Sequence, residues 1–171
     1  MSLSTFTSVH VVLSLIGMAS GFLVLAKMLG AAGARTPAAL TALFLLATTA
    51  TSVTGFMFPL TRIGLGQIVG ALSLAVLLPA IVALYVYRLA GPWRRIYVFG
   101  VVTALYLNVV IGVAQSFGKI EVLRALAPTR SAPAFLLAQL AVLMIFIVLG
   151  ALAARRFHAP IAVRPPALAP G

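Results

Sequence analysis

The chain has no cysteine, one acidic residue and one tryptophan in 171 residues. Each shortage excludes something. Without cysteine there is no disulfide, no thiolate metal site and no thiol nucleophile. With Glu121 as the sole Asp or Glu, no pair of side-chain carboxylates can share acid/base work or bridge two metals. Two histidines, His10 and His158, fall short of the three or four ligands a zinc site needs. No GxSxG, P-loop or HExxH motif occurs. Ser14 follows His10 by one helical turn, but no Asp completes a triad. Proton and ion pumps rely on a carboxylate or Lys in the middle of a span, and the apolar stretches contain none. Both an enzyme and an ion-coupled transporter are disfavoured.

Charge of either sign is scarce. Only 8% of residues are charged and 63% are hydrophobic, whereas a soluble domain is about one quarter charged. Five stretches carry no charged side chain: Met1 to Ala26, Thr36 to Thr61, Ile63 to Tyr87, Ile96 to Gly118 and Ser131 to Ala154. A bilayer core takes about 20 residues at a rise of 1.5 Å each, so every stretch is long enough. The pattern predicts an all-α polytopic transmembrane bundle with five spans, about 7–29, 38–58, 67–89, 96–118 and 133–154. One membrane domain then fills 1–157. The tail 158–171 holds four of the ten prolines and is expected to be disordered.

The first stretch differs from a signal peptide. Met1 to Ser8 has no Lys or Arg, and the apolar run outlasts an h-region. Ala31-Ala32-Gly33-Ala34 looks like a cleavage site, but Lys27 precedes it. The reading is a retained span. Pro59 is expected to stop the second span, and Pro79 to kink the third by removing a backbone donor. Gly91-Pro92-Trp93-Arg94-Arg95 reads as a turn with an interfacial Trp. Residues 119–132 read as a short surface helix ended by Pro128.

The net charge of +11 could suggest nucleic acid. The basic residues are instead scattered at span ends, as membrane orientation requires. One side collects Lys27, Arg35, Arg88, Arg94, Arg95, Arg155, Arg156 and Arg164, eight in all; the other has four, Arg62, Lys119, Arg124 and Arg130, with Glu121. The richer side is expected to be cytoplasmic, giving N-out/C-in. No nucleic-acid partner is expected, only the bilayer and other membrane subunits or a second copy.

Uncharged polar residues inside spans are costly unless they face protein or a cavity. His10, Ser14, Gly17 and Gly21 share one helix face. So do Thr48, Ser52, Gly55 and Pro59; Gly100, Ala104, Asn108, Gly112, Gln115 and Lys119; and Gln139, Leu143, Phe146 and Gly150. Small residues four apart, at Gly17 and Gly21, Thr51 and Gly55, Gly66 and Gly70, and Gly100 and Ala104, read as helix contacts. In depth, His10, Gln67, Ser52, Thr54, Gln115 and Gln139 fall in the outer half and Asn108 near the midplane. Tyr85, Tyr87, Tyr97 and Thr103, in the inner half, suit an interfacial belt. The candidate site is an outward-facing polar pocket lined by His10, Ser14, Gln67, Asn108, Gln115 and Gln139, with Glu121 at its mouth. The plainer alternative is helix-to-helix bonding by the same groups. No catalytic residue, metal ligand or cofactor is expected. One His10 per chain in a dimer is all that haem ligation could draw on.

Three strings carry a resemblance: Thr-Ser-Val-Thr-Gly-Phe-Met-Phe-Pro at 51–59, Leu-Tyr-Leu-Asn-Val at 105–109 and Ala-Leu-Ala-Pro-Thr at 125–129. They resemble those of small, uncharacterised bacterial inner-membrane proteins. The resemblance covers most of the chain. It implies about five helices in a bacterial membrane, no known activity, and no functional residue to carry over. Two functions are compatible with all of this. One is a non-enzymatic accessory or assembly subunit of a membrane complex. The other is a small-solute binder, channel or facilitator using the polar pocket.

Overall fold

The computed structural model describes residues 2–30, 37–58 and 64–157. Six helices follow in order: α1 Leu3–Leu29, α2 Ala38–Gly55, α3 Leu65–Tyr85, α4 Trp93–Lys119, α5 Glu121–Leu126 and α6 Pro133–Arg156. The described residues contain no strand. Five of the helices, all but α5, are long and apolar enough to cross a membrane. An apolar helix satisfies its own backbone, which is what a hydrocarbon environment demands. The expected disordered tail, Pro59, Arg35, Arg62 and Arg164 lie outside the described residues.

The ends of the helices follow local chemistry. Helix α1 starts four residues earlier than expected because Ser2 caps it, its hydroxyl accepting the Thr5 N–H at 3.2 Å. Helix α2 stops at Gly55, before the expected 58. There Phe56 and Met57 donate to the Val53 and Thr54 carbonyls, tightening the last turn. At the start of α3 the Gly64 N–H donates to Gln67 Oε1 at 2.9 Å. That helix runs on through Pro79, which leaves the Ala75 carbonyl without its usual donor. It ends at Tyr85 rather than 89, because the chain reverses in a tight turn. Arg88, Leu89 and Gly91 all have positive φ there, and the Leu89 N–H reaches back to the Ala83 carbonyl at 2.9 Å. Beyond the turn the Trp93 ring stacks on Tyr87 with centroids 3.8 Å apart. The expected surface helix is α5, closed at Ala127.

Helix α4 is the hub. It packs on α3, α6 and α1 and carries α5 at its end, while α2 lies between α1 and α3. Close approaches need residues without side chains. At Gly100 a Cβ would stand 2.6 Å from the Val76 carbonyl oxygen and 2.7 Å from Ala80 Cβ, so α3 and α4 meet backbone to backbone. At Gly21 a Cβ would be 2.7 Å from both Leu105 and Phe44, where α1, α2 and α4 converge. Gly70 lies against the Ser52 carbonyl. Gly66, the other member of its expected contact pair, touches nothing across from it.

Burial is divided unevenly along the bundle. The apolar core is built from Val24, Leu25, Met28, Phe44, Leu45, Leu77, Ala80, Ala83, Tyr97, Val98, Val101, Leu105, Phe146, Ala153 and their neighbours. Each belongs to the half of its helix nearer the basic turn and the end of α6. Two expectations are corrected here. Tyr97, placed in an interfacial belt by its amphipathic ring, is 2% exposed. Its phenol faces Thr41 and its ring meets Phe157 at 5.7 Å, so protein rather than headgroups surrounds it. Leu143, expected on the inner face of α6, is exposed, and Val142 packs on the core instead. Helix α6 is apolar nearly all round, so polarity gives no guide to its inner face.

Candidate functional site

The polar side chains gather in the other half, opposite the apolar core. Each candidate residue is held by a helix, and its partner shows what it does. His10 on α1 meets Thr54 on α2, with Nδ1 and Oγ1 2.8 Å apart. Thr54 has one hydroxyl proton, and the Ala50 carbonyl at 2.8 Å and the Thr51 carbonyl at 3.2 Å are both in reach of it. With the Thr54 proton on either carbonyl, Nδ1 donates to Oγ1 and Nε2 keeps its lone pair; with that proton given to Nδ1 instead, the tautomer is reversed. The Phe58 ring stands edge-on to the imidazole at 5.1 Å. Ser14 donates to the His10 carbonyl at 2.9 Å. It bonds within its own helix and makes no nucleophile–base pair with the imidazole.

A second polar contact joins three helices. The Asn108 amide on α4 donates to Thr48 Oγ1 on α2 at 3.4 Å, long for such a bond. Gly17 on α1 lies under the same hydroxyl; a Cβ there would be 3.1 Å from it. Thr48 is fully buried. A third contact joins α3 to α2, where Gln67 Nε2 donates to the Gly55 carbonyl at 3.5 Å. A fourth joins α6 to α4, where Gln139 Nε2 donates to the Val110 carbonyl at 3.2 Å.

The expected pocket residues are thus in one half of the bundle but not around one point. Asn108 and Val110 are two residues apart on α4, about 200° around the helix. Asn108 therefore serves the α1–α2 side and Gln139 the α6 side. Gln115 is exposed near the end of α4, and Glu121 is exposed at the start of α5. The structure brings His10 beside Gly55, whose Cα environment it shares, and Gly55 beside Gln67. It does not bring Gln139 to them.

Two atoms are buried without a hydrogen-bond partner among the described residues: Thr51 Oγ1 and Gln139 Oε1. Such groups are uncommon and costly. Thr51, Thr48 and Thr54 are the functional-looking residues that the expected pocket left out. A signal exists for Thr48 and Thr51, since Thr48, Thr51, Ser52 and Gly55 repeat at helical spacing on one face. Among the described residues no three His, Cys, Asp or Glu side chains gather where a metal could bind.

The hub helix records the openness of this half. From Tyr97 to Leu105 most of α4 is buried; from Tyr106 to Lys119 no residue is. No protein-family model, curated protein or solved structure matches the chain. Sequence and geometry alone therefore carry the functional argument.

Proposed function

We propose that the protein is a non-enzymatic integral protein of a bacterial inner membrane, an accessory or assembly subunit of a larger membrane complex. The observation that carries this reading is the open half of α4. A hub helix with no fully buried residue over the second half of its 27 residues, Tyr106 to Lys119, keeps surface that a partner helix can cover. The polar residues support it: they are taken up pairwise at separate helix contacts rather than converging on a substrate. The charge count supports an N-out/C-in orientation. A reporter fused after Gly171 is then active only in the cytoplasm, and periplasmic activity refutes the orientation.

A second reading is a small-solute binder. It is favoured by the orphaned Thr51 and Gln139 oxygens and by the long Asn108–Thr48 bond, all of which a polar ligand or water could satisfy. The test is native mass measurement after gentle detergent extraction, with a photo-crosslinker at Val113. The accessory reading expects a second polypeptide in the complex and a crosslink to it. A lone chain without crosslink refutes that reading, and one carrying a small bound mass supports the second.

A further inference from the structure

Helices α1 and α2 pack antiparallel, and their seam carries a row of side-chain hydroxyls at regular levels. Thr54 Oγ1 meets His10 Nδ1 at 2.8 Å. Further along the seam Thr48 Oγ1 lies against Gly17, where a Cβ would be 3.1 Å from it. Thr51 stands midway between them. It is about 60° around α2 from each of Thr48 and Thr54, so it is turned toward α1 as both of them are. The polar α1 residue at that level is Ser14, which shares the face of Gly17 and His10 and lies between the two.

Burial deepens along the row. His10, Ser14 and Thr54 are half-buried, while Thr51 is 8% exposed and Thr48 not at all. One turn beyond Thr48 the row ends. There Phe44 is fully buried, and a Cβ on Gly21 would be 2.7 Å from both its ring and Leu105. The seam is therefore open at the His10 end and blind at the Phe44 end, unlike a conducting path. Thr51 Oγ1 has no hydrogen-bond partner among the described residues, so it does not bond Ser14 directly. Nor does it use the Ala47 carbonyl, a usual acceptor for a helical threonine.

The bonding capacity left over defines a ligand. Ser14 gives its proton to the His10 carbonyl at 2.9 Å and keeps its lone pairs. Thr48 accepts the Asn108 amide at 3.4 Å and keeps a proton. Thr51 has both to offer. A cation needs acceptors and an anion needs donors; a mixed set suits a hydroxyl, which does both. No charged residue lies within 3–26 or 38–58 to hold either ion. We propose that the α1–α2 seam binds a small neutral hydroxylic molecule between Thr51 and Ser14, entering past His10 and stopping at Phe44. The inference rests on the second, small-solute reading and names its solute class; the accessory reading does not depend on it.

The test is a double-mutant cycle in detergent unfolding of the full chain, with Thr51→Val and Ser14→Ala. A bridging hydroxyl makes Thr51→Val lower the folding constant by about fivefold, the contribution of one ordinary hydrogen bond. It also couples the two replacements by at least about twofold. An unmet buried hydroxyl gives the opposite sign, because valine removes its desolvation cost. That result, or a loss without coupling to Ser14, overturns the site. A crystal structure of the wild type separates the two sources of a hydroxyl. Density for a single oxygen within hydrogen-bond distance of Thr51 Oγ1 and Ser14 Oγ, unchanged by soaking in ethylene glycol, means water. Density that ethylene glycol replaces means a small alcohol. Empty density there overturns the proposal, and it does so even where the variants fail to fold. Ordered density beside Gln139 Oε1 alone overturns the seam but keeps the small-solute reading; none at either place removes both.

Discussion

The two halves of α4 obey different rules although they belong to one helix. From Tyr97 to Leu105 most of it is sealed by α3, α6, α1 and α2, with Val101, Ala104 and Leu105 fully buried and Phe99 facing outward. From Tyr106 to Lys119 nothing is sealed, and contact to neighbours is made at points such as Asn108 on Thr48 and Gly112 on Met18. In lipid, apolar side chains gain little by leaving the solvent, because acyl chains are as apolar as leucine. Packing then depends on how closely backbones approach. The sealed half has Gly21 and Gly100 at its tightest crossings; the open half adds hydrogen bonds from side chains across the helices. One half holds the fold and the other is left available.

The strongest way to break this comparison is to fill a tight crossing. Gly100→Leu puts a side chain where the Val76 carbonyl already stands, and backbone cannot step aside as a flexible side chain can. Gly21→Leu meets Phe44 and Leu105 together. Each is expected to cost about 3 kcal/mol or more, at the upper end of overpacking penalties, read as loss of helix content or monodispersity in detergent. Gly66→Leu and Gly118→Leu, where a Cβ meets nothing, leave stability unchanged within about 0.5 kcal/mol. If all four behave alike, the division into sealed and open halves is wrong.

Removing bulk from the sealed half comes next. Phe44 is fully buried against Gly21. Phe44→Ala forfeits its dispersion contacts and leaves a cavity, at about 2 kcal/mol once the lost transfer term is discounted for a lipid surround. Truncating a bulky apolar residue in the open half tests the contrast. Ile111→Ala costs less than half as much in the same unfolding measurement, since Ile111 is only partly covered.

What the sequence made legible follows from where its signals are strong. The five spans and their order were plain because charge marks every seam. The inward face of α1 at Gly17 and Gly21 was plain, and that of α4 from Gly100 to Gly112, but Gln115 and Lys119 on the same expected stripe are exposed. On α6 Gln139, Phe146 and Gly150 face α4 as expected, while Leu143 is exposed and Val142 packs on the core, because polarity marks little of that helix. Tyr97 was misplaced because an amphipathic ring reads the same at headgroups and beside a buried Thr41. Element ends moved where a cap or turn intervened, at Ser2 and at Arg88 and Leu89. The crowding of polar residues in one half was legible, but the looser packing there was not, since it arises from how the helices cross. The candidate pocket residues were found in the right half, but their partition around α4 came from the structure.

A smaller effect sharpens the open half. Asn108→Leu and Thr48→Val each remove one end of a 3.4 Å bond. Interhelical bonds of this kind contribute about 0.6–2 kcal/mol, and the length of this one sets the expectation near the lower figure. A double-mutant cycle in detergent unfolding then gives a coupling of about 0.5 kcal/mol. Coupling above about 2 kcal/mol means that Asn108 and Thr48 form a strong structural bond, with nothing left over for a ligand.

The smallest expected change is the most discriminating. Gln139 makes one bond, from Nε2 to the Val110 carbonyl, and buries Oε1 without a partner. The bond stabilises and the orphaned oxygen destabilises by a similar amount, since an unmet buried acceptor costs about 1–3 kcal/mol. Replacement by Leu removes both and fills the same space, so Gln139→Leu should change stability by less than about 0.5 kcal/mol. A clear loss in the isolated protein means that Oε1 is satisfied by a bound water or solute. A loss appearing only when the native complex is intact means that a partner supplies the donor. Stability unchanged in both settings leaves Gln139 as packing, and the open face of α4 then stands alone as the surface on which the accessory role rests.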